Sequence, residues 1–157
     1  MTPPESDILP IIRERIRSLL VALDEDSALL GAAPSDVAAF ETMGRSSRVG
    51  SRALLKTVEQ LEDQMMRLFR TILRLRDVDT KDLYARDVTN RMEALEIVAD
   101  TESWMAVVKL RNRLVHDYPL TSEARFTKLT EAVAAADLLR ATAERALLYT
   151  DKKDWLA

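Results

Sequence analysis

Residues 54–75 read LLKTVEQLEDQMMRLFRTILRL, with Leu54, Leu55, Val58, Leu61, Met65, Leu68, Phe69, Ile72 and Leu75 recurring at helical steps. That period belongs to one face of an α-helix and not to a strand. The same stripe runs back through Val37, Phe40 and Met43. The spacing therefore predicts a helical region from Ser35 or Asp36, either of which can cap it, to about Arg76. Gly44, Ser46, Ser47, Gly50 and Ser51 interrupt its middle, where large apolar residues would be expected. A break and a small-residue surface for close approach both account for them. Glycine costs roughly 1 kcal/mol against alanine inside a helix, a modest sum for so long an element. One long continuous helix is the expectation.

Outward from this stretch the helical period persists. Upstream, Ile8, Ile12, Ile16, Leu19, Leu20 and Leu23 mark a first helix from about Asp7 to Leu30, ended by Gly31 and Pro34. Downstream, a turn at Asp77 to Thr80 leads to a shorter helix over about Leu83 to Ala99. Asp100 or Thr101 caps a fourth helix, which Pro119 stops, because the residue before proline avoids the α region. Ser122 and Glu123 begin a last helix reaching about Tyr149. No linker, repeat or low-complexity tract divides the chain. The reading is all-α: an up-and-down bundle of about five helices with a long second helix, in one domain over residues 1–157. Only three glycines and five prolines are present, too little turn chemistry for many short strands.

Composition excludes several chemistries. There is no cysteine and a single histidine, so disulfides and thiolate nucleophiles are ruled out and no metal site is expected. No Gly-rich phosphate loop or other cofactor motif occurs, and no cofactor is expected. The start, Met-Thr-Pro-Pro-Glu-Ser-Asp, lacks the layout of a secretion signal, and no apolar run reaches membrane-spanning length. A cytoplasmic protein without a membrane partner is expected. The net charge of −3 argues against bulk electrostatic capture of nucleic acid.

The fourth helix carries an anomaly. Trp104, Val107, Val108, Leu114 and Val115 fall at helical spacing, and Arg111 sits in the middle of that stripe. A guanidinium in an apolar stripe is costly unless it is paired or opens onto a cleft. Asn112 and His116 form an i, i+4 pair along the edge of the same face, and His116 lies in the last turn, where the helix dipole favours imidazolium. On ideal geometry Arg111 and His116 diverge, so the long arginine must swing towards the cleft. Glu59, Glu62 and Asp63 cluster on the second helix, where they are expected to meet nearby arginines. One of them is a candidate partner for Arg111.

Leu110 to Pro119, LRNRLVHDYP, resembles the R-x4-H-x-Y motif of the HEPN superfamily, in particular the HepT-like toxins. The match covers Arg111, Asn112 directly after it, His116 and Tyr118. The resemblance implies a HEPN-type fold and a metal-independent endoribonuclease, with two motifs facing each other across a homodimer cleft. It also implies an MNT-type nucleotidyltransferase antitoxin that adds AMP to the motif tyrosine. Carried over, Arg111 and His116 are catalytic, Asn112 is supporting and Tyr118 is the modification target. The chemistry is sound in itself. A histidine titrating near neutrality handles the 2′-hydroxyl proton, an arginine stabilises phosphorane charge, and RNA supplies its own nucleophile, leaving a 2′,3′-cyclic phosphate.

Arg45, Arg48, Arg52 and Lys56 form a basic stripe on the second helix, a weaker candidate for RNA binding. From Arg45 to Arg76 eight basic residues face three acidic ones, a balance of +5. Arg67, Arg70 and Arg74 make a similar, weaker row. The rival readings are a non-catalytic helical module that binds, or is modified by, a nucleotidyltransferase, and a purely structural dimer.

Overall fold

A computed structural model describes residues 4–117 and 119–156. Six helices and no strand are found among them: α1 (Glu5–Leu30), α2 (Val37–Glu41), α3 (Arg45–Leu75), α4 (Ala85–Ala94), α5 (Thr101–His116) and α6 (Ser122–Asp151). The all-α bundle expected from the periodicity is present.

The continuous second helix is not. The region breaks at Thr42 to Gly44 into α2 and α3. Thr42 closes the short α2 by donating its hydroxyl to the Ala38 carbonyl at 3.0 Å. Gly44 then takes extended backbone as the N-cap of α3. Gly50 serves a separate purpose inside α3. A Cβ there would lie 2.4 Å from the Leu30 backbone nitrogen, so its lack of a side chain lets α3 run against the end of α1. Break and close approach are therefore both real, a few residues apart.

The helix ends follow local chemistry. Asp36, Asp100 and Thr121 each accept a backbone N–H through the side chain, at Ala39, Ser103 and Ala124 respectively. α4 is shorter than expected because Leu95 ends it: Ile97 N–H returns to the Met92 carbonyl at 3.0 Å and Glu96 N–H to Glu93 at 2.9 Å. This is a Schellman turn, with Glu96 in the left-handed region at φ 62°. Asp77 ends α3 in the same way.

α1 lies along α3, and α3 also packs on α4, α5 and α6, which makes it the central element. Its core face includes Leu54, Val58, Leu61, Met65, Leu68, Phe69 and Ile72, all essentially inaccessible to water. Trp104 of α5 is fully buried against Phe69, ring centres 5.2 Å apart, with its indole N–H towards the Met66 sulfur at 3.3 Å. Burying such a ring contributes a few kcal/mol and fixes the rotation of α5, and with it the direction of Arg111. No helix among the described residues is long and apolar enough to cross a membrane.

Candidate functional site

The buried face of α5 is Thr101, Trp104, Val107 and Leu110. Val108 and Leu114 are half-buried, and Val115 is exposed. Arg111 thus stands at the edge of the apolar stripe, not in its middle, with its side chain 29% exposed. Wrapping Leu110 against the core turns the next residue towards α3.

There Arg111 meets the acidic cluster. Its Nε lies 3.5 Å from Glu62 Oε2, and its Nη2 3.6 Å from Asp63 Oδ1. Nη1 donates to Asn112 Oδ1 at 3.4 Å. The carboxylates are near enough to attract and too far for good hydrogen bonds, and the buried Nε has no hydrogen-bond partner among the described residues. The expected meeting of this cluster with arginines holds for Glu62 and Asp63 and not for Glu59. Asp63 also pairs with Arg67 at 3.1 Å, while Glu59 takes Lys56 at 3.2 Å.

Glu62 is the most perturbed group. Burial pushes its pKa up to about 7, against the lowering pull of Arg111 and with a smaller raising push from Asp63. Near neutrality it is divided between charged and neutral forms, so it neutralises Arg111 incompletely. Arg111 and Asp63 also border a groove of about 900 Å³ between α1 and α3, with Glu14, Arg15, Lys56 and Glu59.

His116 is the last residue of α5 and is exposed, as is Asn112 one turn earlier. No hydrogen bond or ion pair joins His116 to Arg111 among the described residues. The end of α5 is held by Lys128 of α6, whose ammonium donates to the Asp117 carbonyl at 2.8 Å and to Arg113 at 3.1 Å. An ion pair between Arg113 and Glu131 fastens the same two helices. Tyr118, the expected modification target, lies outside the described residues.

The basic stripe divides. Lys56 turns to Glu59 and the large groove, and Arg45 is exposed. Arg48 and Arg52 line a different cavity, of about 460 Å³, together with Arg125 and Lys128 of α6. The last two were not singled out in the sequence, where more than sixty residues part them from the stripe; only their i, i+3 spacing at a helix start hinted at them. The row Arg67, Arg70, Arg74 is committed to the fold: Arg70 donates to the Leu83 carbonyl at 3.1 Å and Arg74 pairs with Glu5 at 2.7 Å. No group of three or more His, Cys, Asp or Glu side chains among the described residues is placed to hold a metal ion. Comparison with family models, curated proteins and solved structures finds no match to this chain.

Proposed function

We propose that the chain is a HEPN-type, metal-independent endoribonuclease: the toxin half of a toxin–antitoxin pair, acting as a homodimer. The observation that carries the reading is the R-x4-H-x-Y sequence at the end of α5, where a loosely held Arg111 borders an open groove and His116 is free to solvent. In the proposed reaction the RNA 2′-oxygen attacks the adjacent phosphorus and the bond to the 5′-oxygen breaks. His116 takes the 2′-hydroxyl proton. Arg111 leaves Glu62 and Asp63 for the charge that develops on the phosphorane, an exchange favoured because neither carboxylate holds it tightly. Asn112 steadies the guanidinium. The 5′-oxygen needs a proton of its own, and a second copy of the chain supplies a second His116 for it.

Regulation follows the same reading. A nucleotidyltransferase partner joins the Tyr118 phenol oxygen to the α-phosphorus of ATP, releasing pyrophosphate. The added phosphate then competes with RNA for the nearby cations. Intact-mass measurement after co-expression with such a partner tests this: Tyr118 gains one AMP, and Tyr118→Phe does not. An unmodified, fully inhibited complex contradicts it.

The main experiment is RNA cleavage in EDTA by wild type and His116→Ala. Wild type leaves 2′,3′-cyclic phosphate ends, and the variant loses about 10²–10⁴-fold in rate. Equal cleavage by the two contradicts the reading. A second reading has one observation in its favour, the absence of contact between Arg111 and His116. If Arg111 stays on α3, the chain is a non-catalytic module that binds the nucleotidyltransferase, and no cleavage is seen.

A further inference from the structure

Two cavities, one bordered by Arg111 and one beyond the end of α5, differ in charge. The larger groove carries three acidic and three basic side chains: Glu14, Glu59 and Asp63 against Arg15, Lys56 and Arg111. It is neutral overall. The smaller cavity, between α2, the start of α3 and the start of α6, carries Arg48, Arg52, Arg125 and Lys128 against Glu41 alone. Its local balance is +3, within a chain whose net charge is −3. None of these four cations has a carboxylate within ion-pair distance among the described residues. Arg48 and Lys128 reach only backbone carbonyls. Other cations of the molecule, Arg67, Arg74, Arg86, Arg113 and Arg140 among them, do have carboxylate partners.

The rest of the lining is mainly apolar, Phe40, Met43, Leu55, Leu129 and Pro119, with Ser51 and Ser122. Phe40 is braced by Phe126, ring centres 6.2 Å apart. Cations together with an apolar, partly aromatic lining suit a nucleotide, with phosphate on the cations as a rim and base on the apolar side chains as a floor. A bare anion would leave the floor wet. The cavity also adjoins the motif, since Lys128 is fastened to the carbonyl of Asp117, the residue after His116.

We infer that this cavity seats one nucleotide of single-stranded RNA, with Arg52 and Arg125 on its phosphates, next to the point of cleavage. The inference names the substrate contact for the function proposed above and rests on that reading. It moves the RNA contact from the expected stripe to a pocket that joins two of its members, Arg48 and Arg52, to α6. Lys56, which pairs with Glu59, takes no part in it.

The test is binding of a fluorescein-labelled decauridylate to His116→Ala, which keeps the strand intact, measured by anisotropy across a salt series. Arg52 and Arg125 are both exposed, so the double variant Arg52→Ala/Arg125→Ala is expected to melt like its parent. It should bind about tenfold or more weakly, and its log–log salt slope should fall by about 1.4, the value for two lost single-strand phosphate contacts. The double variant Arg17→Ala/Arg91→Ala, exposed cations away from the cavity, controls for net charge and should bind like the parent. A strand of abasic sites should bind about fivefold more weakly than decauridylate if the base occupies the floor. Equal loss in both double variants, or equal binding of the abasic strand, overturns the proposal. RNA cleaved by wild type and by Arg52→Ala/Arg125→Ala alike overturns the pocket and leaves the nuclease standing. RNA bound through the pocket but never cut upholds the pocket and removes the nuclease. Unchanged RNA binding with loss of nucleotidyltransferase capture makes the cavity a protein-docking site and overturns the inference.

Discussion

Arg13 on α1 and Arg111 on α5 are both drawn out of water, and the molecule treats them differently. Arg13 is 3% exposed, yet both terminal nitrogens of its guanidinium are engaged. Nη1 donates to the Leu147 carbonyl at 2.9 Å and to the Thr150 hydroxyl, and Nη2 donates to Asp151 at 2.5 Å. These bonds tie the first helix to the end of the last. Arg111 is less buried and worse satisfied, with its nearest acceptors at 3.4 to 3.6 Å and its Nε without a hydrogen bond among the described residues. Burial alone therefore does not mark a functional arginine. On the function proposed above, unspent hydrogen-bonding capacity beside an open groove is the distinguishing feature, because that capacity can pass to an incoming phosphate.

The largest stability effect should come from Arg13. Its removal strands the Leu147 and Thr150 acceptors and the half-exposed Asp151. Arg13→Ala should cost about 3 kcal/mol, roughly 10 °C in melting temperature. A loss below about 1 kcal/mol, the scale of a surface pair, would erase the contrast.

Glu62 sharpens the comparison from the other side. Its pKa is about 7 in the fold and 4.5 ordinarily. Between those values the folded chain holds a proton that the unfolded chain has released, so this group's stabilisation is full below about 4.5 and is lost as pH rises through about 7. Glu62→Gln removes that penalty. Relative to wild type it should gain roughly 2 kcal/mol in unfolding free energy between pH 5 and pH 8. An unchanged difference over that range would mean a firmly ionised Glu62–Arg111 pair, as tightly held as Arg13. The smallest effect belongs to Arg111 itself: Arg111→Met should alter stability by less than about 1 kcal/mol, since long contacts give up little.

Much of this was readable in the chain. Caps at Asp36 and Asp100, the stop at Gly31 and the last helix from Ser122 are local signals, and they stand in the structure. The break at Gly44 was harder, because the glycine penalty is small and Gly50, only six residues on, sits inside a helix for a tertiary reason. No local spacing marks Arg13, next to Ile12, although it is the more deeply buried arginine; its partners lie more than 130 residues away. The convergence of Arg125 and Lys128 with Arg48 and Arg52 is tertiary as well, and no spacing rule reaches across it. Glu62 was visible as a member of an acidic cluster, but its burial was not.

The most direct measurement is the RNA-cleavage rate of Arg111→Met, taken with its melting curve on the same sample and beside Arg13→Ala. Arg111→Met is expected to melt like wild type and cut at least about 100-fold more slowly, the scale of losing one charge-stabilising donor. Arg13→Ala is expected to melt early and, below its transition, to cut like wild type. Cleavage by Arg111→Met at the wild-type rate, at equal purity, would contradict the assignment of Arg111 to the reaction.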